Sequence, residues 1–157
     1  MALYDLTGGQ LEKVPPLLNP MQALVAAAFV LYSSHMFRVA FAGLDNVNPR
    51  QKLKNLTGIA ARAQAAHENG LETFPMFAAG VISAAGCGVD VDVCSRMATA
   101  YVITRAVFSF IYIFLNTNDA FGALRSLAFV AGQYISFRMM VLAGEAKYGG
   151  SHWVSGF

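Results

Sequence analysis

Charge is what this chain has least of. Lysine and arginine number 11 and aspartate and glutamate 9 in 157 residues, so 13% of the chain is charged against 56% hydrophobic, and the mean hydropathy is +0.48. A soluble domain of this length needs more charge to cover its surface, so the deficit predicts a polytopic membrane protein. A net charge of only +2, with no basic run interleaved with aromatics, excludes nucleic acid as a partner. Cysteine is nearly absent as well. Cys87 and Cys94 flank a short acidic turn and would bridge only if that side is oxidising; buried free thiols are also common packing residues, and nothing around them suggests metal ligation. The first sixteen residues end in Pro15-Pro16 and lack the basic-then-apolar order of a cleavable signal peptide, so insertion is expected to be directed by the first spanning helix. There is no large soluble domain, no detectable repeat and no low-complexity linker.

What is present is a set of apolar runs. Crossing a hydrocarbon core of about 30 Å takes about 20 residues, and stretches of that length lie near Leu17 to Ala42, Leu56 to Ala85, Val93 to Leu115 and Leu124 to Ala143. The fold class predicted is therefore all-α, an integral membrane four-helix bundle. Its breaks are Gly43 with Asp45 to Pro49, then Gly86-Cys87-Gly88, then Asn116 to Asp119. Pro20 belongs in a first helical turn, whereas Pro75 falls inside the second span and is expected to bend it. The domain plan is a polar arm over 1–16, a helical domain over 17–148 and an aromatic tail over 149–157. Arg50, Lys52 and Lys54 in the first connection, with Arg38 before it and Arg125 after the third, predict that loops one and three face the cytoplasm or its equivalent. Trp153 and Phe157 would then rest in the opposite interface.

One stretch breaks the apolar pattern. Between Arg62 and Glu72 the second span carries Arg62, His67, Glu68, Asn69 and Glu72. An ionised group at the bilayer centre costs roughly 2.5 to 3.5 kcal/mol on insertion scales, so each needs a partner or a task. At 100° per residue Arg62, Ala65, Asn69, Glu72 and Met76 share a stripe, with His67 on about the opposite side. Small residues from Ala60 to Ala66 and from Ala78 to Gly80 allow close backbone approach and predict a central place for this helix. In the third span Arg105, Ser109 and Tyr112 share a face. The expected arrangement is a buried Glu72–Arg105 ion pair. Two readings of these groups stand side by side. In one they lock the helices together; in the other Arg62, Asn69, Glu72 and Arg125 line a cytoplasm-facing pocket for an anionic ligand.

The run Arg62-Ala63-x-x-Ala66-His67-x-Asn69-x-Leu71-Glu72-x-x-Pro75-x-Phe77, then Arg105 with Tyr112 seven residues on, then Leu124-Arg125-Ser126-Leu127-Ala128-Phe129, resembles the MAPEG family, the membrane-associated proteins of eicosanoid and glutathione metabolism. The likeness runs from about Met21 to Gly144 and is nearest the bacterial-type members. It implies a homotrimer of four-helix subunits binding glutathione between neighbours near the cytoplasmic side. It also implies that Arg62, Asn69, Glu72, Arg105 and Tyr112 bind that cosubstrate, and that Arg125 and Ser126 lie near its thiol. A cation there would stabilise the thiolate, which is the nucleophile.

Ala65 and Glu68 stand where the eicosanoid-synthesising members carry arginines, and Phe108 and Phe129 where a prostaglandin-synthase-like member has histidine and tyrosine. These departures argue against prostaglandin E synthase activity. The expected function is a glutathione-dependent transferase or peroxidase for lipophilic electrophiles arriving from membrane lipid. The alternative keeps the fold and drops the chemistry, making the chain an accessory subunit of a larger membrane complex. A haem or quinone protein using His35 and His67 is a third reading, against which each histidine is read more simply as a packing residue.

Overall fold

The computed structural model describes residues 15–44, 46–116 and 118–149. Most of the polar arm and all of the tail from residue 150, with Trp153 and Phe157, lie outside the described residues.

Four long helices form the predicted bundle. Helix α1 spans Pro20–Ala42, α3 Gly58–Gly86, α4 Val91–Phe110 and α5 Asp119–Tyr148. A six-residue helix α2, Pro49–Lys54, occupies the first connection, and a π-helical turn, Ile111–Leu115, extends α4. Helix α1 starts as its sequence dictates. Asn19 Oδ1 accepts from the Gln22 amide at 2.8 Å, Gln22 Oε1 accepts from the Asn19 amide at 3.1 Å, and Pro20 occupies a first-turn position. It stops at Gly43, whose φ of +70° few other residues adopt. Asp90 and Asn118 cap α4 and α5 in the same way, each accepting from the amide three residues on. Helix α5 therefore overruns the apolar run Leu124 to Ala143 at both ends, because its first and last turns are polar and carry their own caps.

Helix α3 packs against α1 and α5, and α4 packs against the same two, closing a four-membered ring of contacts. The ends are fixed by specific bonds. Arg62 and Phe37 both meet the π-helical turn, the first through the Ile113 carbonyl and the second through the Phe114 ring, so loops one and three share one end. At the other end the Leu18 amide donates to Thr99 Oγ1 at 3.3 Å.

The core between these ends mixes small residues such as Ala23, Ala63 and Ala98 with larger ones such as Phe77, Met97, Tyr101 and Met139. Phe77 of α3 stacks on Tyr101 of α4 with ring centroids 3.7 Å apart. Gly80 brings α3 so close to α5 that a Cβ there would lie 2.8 Å from the Ser136 carbonyl oxygen. Large apolar side chains also point outward: Val25, Phe29, Tyr32 and Met36 run down the outer face of α1. An apolar outer face suits lipid or a neighbouring subunit. Helices α1 and α5, and α4 with its π-helical turn, are long and apolar enough to cross a bilayer. Helix α3 is as long but carries Arg62, Glu68 and Glu72. Cys87 and Cys94 are both free thiols.

Candidate functional site

The polar groups of the sequence gather toward the end that holds loops one and three, in two groups on different sides of α3.

The first lies between α3, α4 and α5. Arg105 is buried and its Nη2 donates to Asn69 Oδ1 at 2.7 Å. An arginine can only donate, so the Asn69 oxygen must be the acceptor and its NH2 group is left directed elsewhere. The Arg105 guanidinium also lies 4.3 Å from the centroid of Phe108. Phe108 in turn meets Tyr112 at 5.5 Å and Phe129 at 6.2 Å, and Arg125 of α5 covers Tyr112 at 4.6 Å. The result is a ladder of cation, ring, ring and cation that runs from the end of α4 through the π-helical turn to α5. Such stacking is worth about 0.5 to 2 kcal/mol per contact, more as water is excluded.

Arg62 is bound into this end of the bundle. Its Nε donates to the Ile113 carbonyl at 2.9 Å. The last carbonyls of a helix lack intrahelical donors, so Arg62 caps the π-helical turn that holds Tyr112. Ser126 is exposed, and its hydroxyl donates to the Gly122 carbonyl one turn back at 3.0 Å.

The predicted Glu72–Arg105 pair does not form. Glu72 is exposed and has no hydrogen-bond or ion-pair partner among the described residues, while Arg105 takes Asn69 instead. The reason is angular. Positions 69 and 72 lie about 60° apart around the helix axis, and that turn carries Glu72 past the edge of α4. Glu68 is also exposed and accepts from Gln64 at 2.9 Å. Both carboxylates thus lie on the outer face of α3, some 15 to 21 Å along it from Gly58 at 1.5 Å per residue.

The second group lies between α1, the first connection and α3, and sequence reasoning missed its main member. Arg38 is 7% exposed, its Nη2 is 3.3 Å from His35 Nε2, and its Nε has no partner. Together with Lys52, Gln64, His67 and Glu68 these residues line a cavity of about 480 Å³. His35 and His67 do meet, with ring centroids 5.2 Å apart, but His67 Nδ1 lies 3.2 Å from the Leu31 carbonyl and serves the α1–α3 interface. Arg38 and Lys52 set two cations against the single carboxylate of Glu68. The available signal was a lone arginine four residues before the end of an apolar run, which reads equally well as a topology marker.

At the opposite end of the bundle Arg138 is 6% exposed, and its Nη1 bonds Glu145 Oε1 at 3.2 Å.

Comparison with known families places this architecture. A family model described as MAPEG family matches residues 21–144, most of the chain. The chain belongs to the MAPEG family. As a MAPEG protein it is a membrane protein, in a family whose members are generally membrane-embedded oligomers using glutathione. Neither the curated proteins nor the solved structures gave a match.

The cavity of about 480 Å³ is lined by the cations Arg38 and Lys52 and lies within the size range of small-ligand sites.

Proposed function

We propose that this MAPEG protein is a glutathione-dependent transferase or peroxidase that acts on lipophilic electrophiles, working as a homotrimer with its site between subunits. The observation that carries the reading is the pair of cations Arg38 and Lys52 lining the cavity between α1, the first connection and α3, against the single carboxylate of Glu68. A ligand carboxylate there would make charge-assisted bonds to guanidinium and ammonium donors.

Glutathione supplies the thiolate that attacks the electrophile. The chain's own residues divide the remaining work. Arg38 and Lys52 bind carboxylate, and Asn69, its oxygen held by Arg105, presents its NH2 to a carbonyl or carboxylate. Arg125 stabilises negative charge on sulfur, with the Tyr112 ring limiting its hydration. Lowering a thiol pKa by two units takes about 2.7 kcal/mol, within reach of one charge-assisted bond in a poorly solvated site.

The side of α3 that each group occupies supports the inter-subunit placement. Arg38 lies on the α1 side and Arg125 on the α5 side, so a ligand touching both would draw one of them from a neighbouring copy. Glu68 and Glu72 on the outer face of α3 support the same packing, because facing lipid would be costly. A second reading, the accessory subunit of a larger membrane complex, draws on Arg62 and Ser126, whose side chains bond carbonyls of the chain itself. Calorimetric titration of glutathione into the detergent-solubilised protein separates the two. Saturable heat that Arg38→Gln weakens supports the transferase reading, and no heat supports the accessory one.

A further inference from the structure

We propose that the first connection binds the phosphate of an anionic phospholipid, seated in the groove on the Arg50/Lys54 face of α2. This does not rest on the glutathione reading. Arg50 and Lys54 are four residues apart on a helix and therefore share a face. They border an open groove of about 650 Å³ whose other walls are Val47, Asn48, Gln51 and Asn55. Neither cation meets a carboxylate among the described residues. Two exposed cations, with the carboxamides of Gln51 and Asn55 beside them, are a donor set for phosphate oxygens.

The position selects a lipid over a soluble anion. Helix α1 ends at Ala42 and α3 begins at Gly58, so α2 lies where two long helices leave the hydrocarbon, at headgroup level. Leu44 and Val47, next to the groove, are 62% and 86% exposed. Apolar side chains beside cations at that depth are the pattern of an interfacial segment, with the chains in the acyl boundary and the charges among phosphates. Lys52 is left out of the site because it lines the Arg38 cavity.

The test uses full-length protein in detergent, incubated with phosphatidylglycerol or phosphatidylcholine, with the retained lipid read by native mass spectrometry. Phosphatidylglycerol should be retained preferentially. The double variant Arg50→Gln/Lys54→Gln should lower that preference roughly thirty-fold at an unchanged melting temperature, and Arg50→Lys/Lys54→Arg should keep it. Equal retention of the two lipids, or an unaltered preference in the glutamine variant, overturns the proposal. Release of phosphatidylglycerol by inorganic phosphate alone overturns the choice of a lipid source and makes the groove a site for free phosphate.

Discussion

Arg105 Nη2 donates to Asn69 Oδ1 across 2.7 Å, joining α4 to α3 over 36 residues of sequence. The bond buries a cation against a neutral acceptor and orients an amide. Arg105→Met should lower stability by about 1.5 to 3 kcal/mol, the worth of a hydrogen bond to a charged group. Asn69→Leu added to it should cost less than the sum of the two single changes, since neither partner is then left alone. Thermal melts of the two single variants and the double variant check this. Asn69→Asp keeps an acceptor for Arg105 and removes the amide donors, so it should hold stability while weakening glutathione.

The close approach of α3 and α5 rests on Gly80. Gly80→Ala would put a Cβ 2.8 Å from the Ser136 oxygen and 3.3 Å from Met139 Cβ, and should destabilise by about 1 to 3 kcal/mol. Gly144 in α5 has nothing within 4 Å of its would-be Cβ. Gly144→Ala should therefore stabilise by up to about 1 kcal/mol through helix propensity. Opposite shifts of the melting temperature are the expected result.

Arg38 is the residue whose loss should most weaken ligand binding. Arg38→Gln removes a charged donor, and glutathione affinity should fall about tenfold to a hundredfold. Equilibrium dialysis with labelled glutathione measures it.

At the other end of the bundle, Glu145→Gln leaves Arg138 buried with a weaker acceptor, and should destabilise more than Arg138→Met/Glu145→Gln together. Glu145 is 31% exposed, so the difference should be modest, about 1 kcal/mol. Chemical denaturation of both variants decides it.

Apolar runs near the length of a bilayer made the four helices legible, and Pro20 marked the first turn of α1, whereas α5 begins at Asp119, five residues before the apolar run at Leu124, because its opening turn is polar. The polar residues of α3 were legible as residues requiring a reason. Their partners were not. A helical wheel gives direction to within a few tens of degrees, and the 60° between Asn69 and Glu72 was enough to misassign the partner of Arg105. Arg62 meets Ile113 across 51 positions, on a π-helical turn that no local pattern announces. Arg38 was visible only as a topology charge, because the neighbours that share its cavity, among them Lys52 and His67, lie on other elements far along the sequence.

The central claim is that the cations at the end holding loops one and three convert glutathione to its thiolate. Titrating glutathione into the detergent-solubilised protein while following thiolate absorbance tests it most directly. The account predicts a saturable rise at neutral pH that Arg125→Ala abolishes while the bundle still melts cooperatively. A wild-type protein that gives no thiolate signal, or a signal that Arg125→Ala leaves intact, would contradict it.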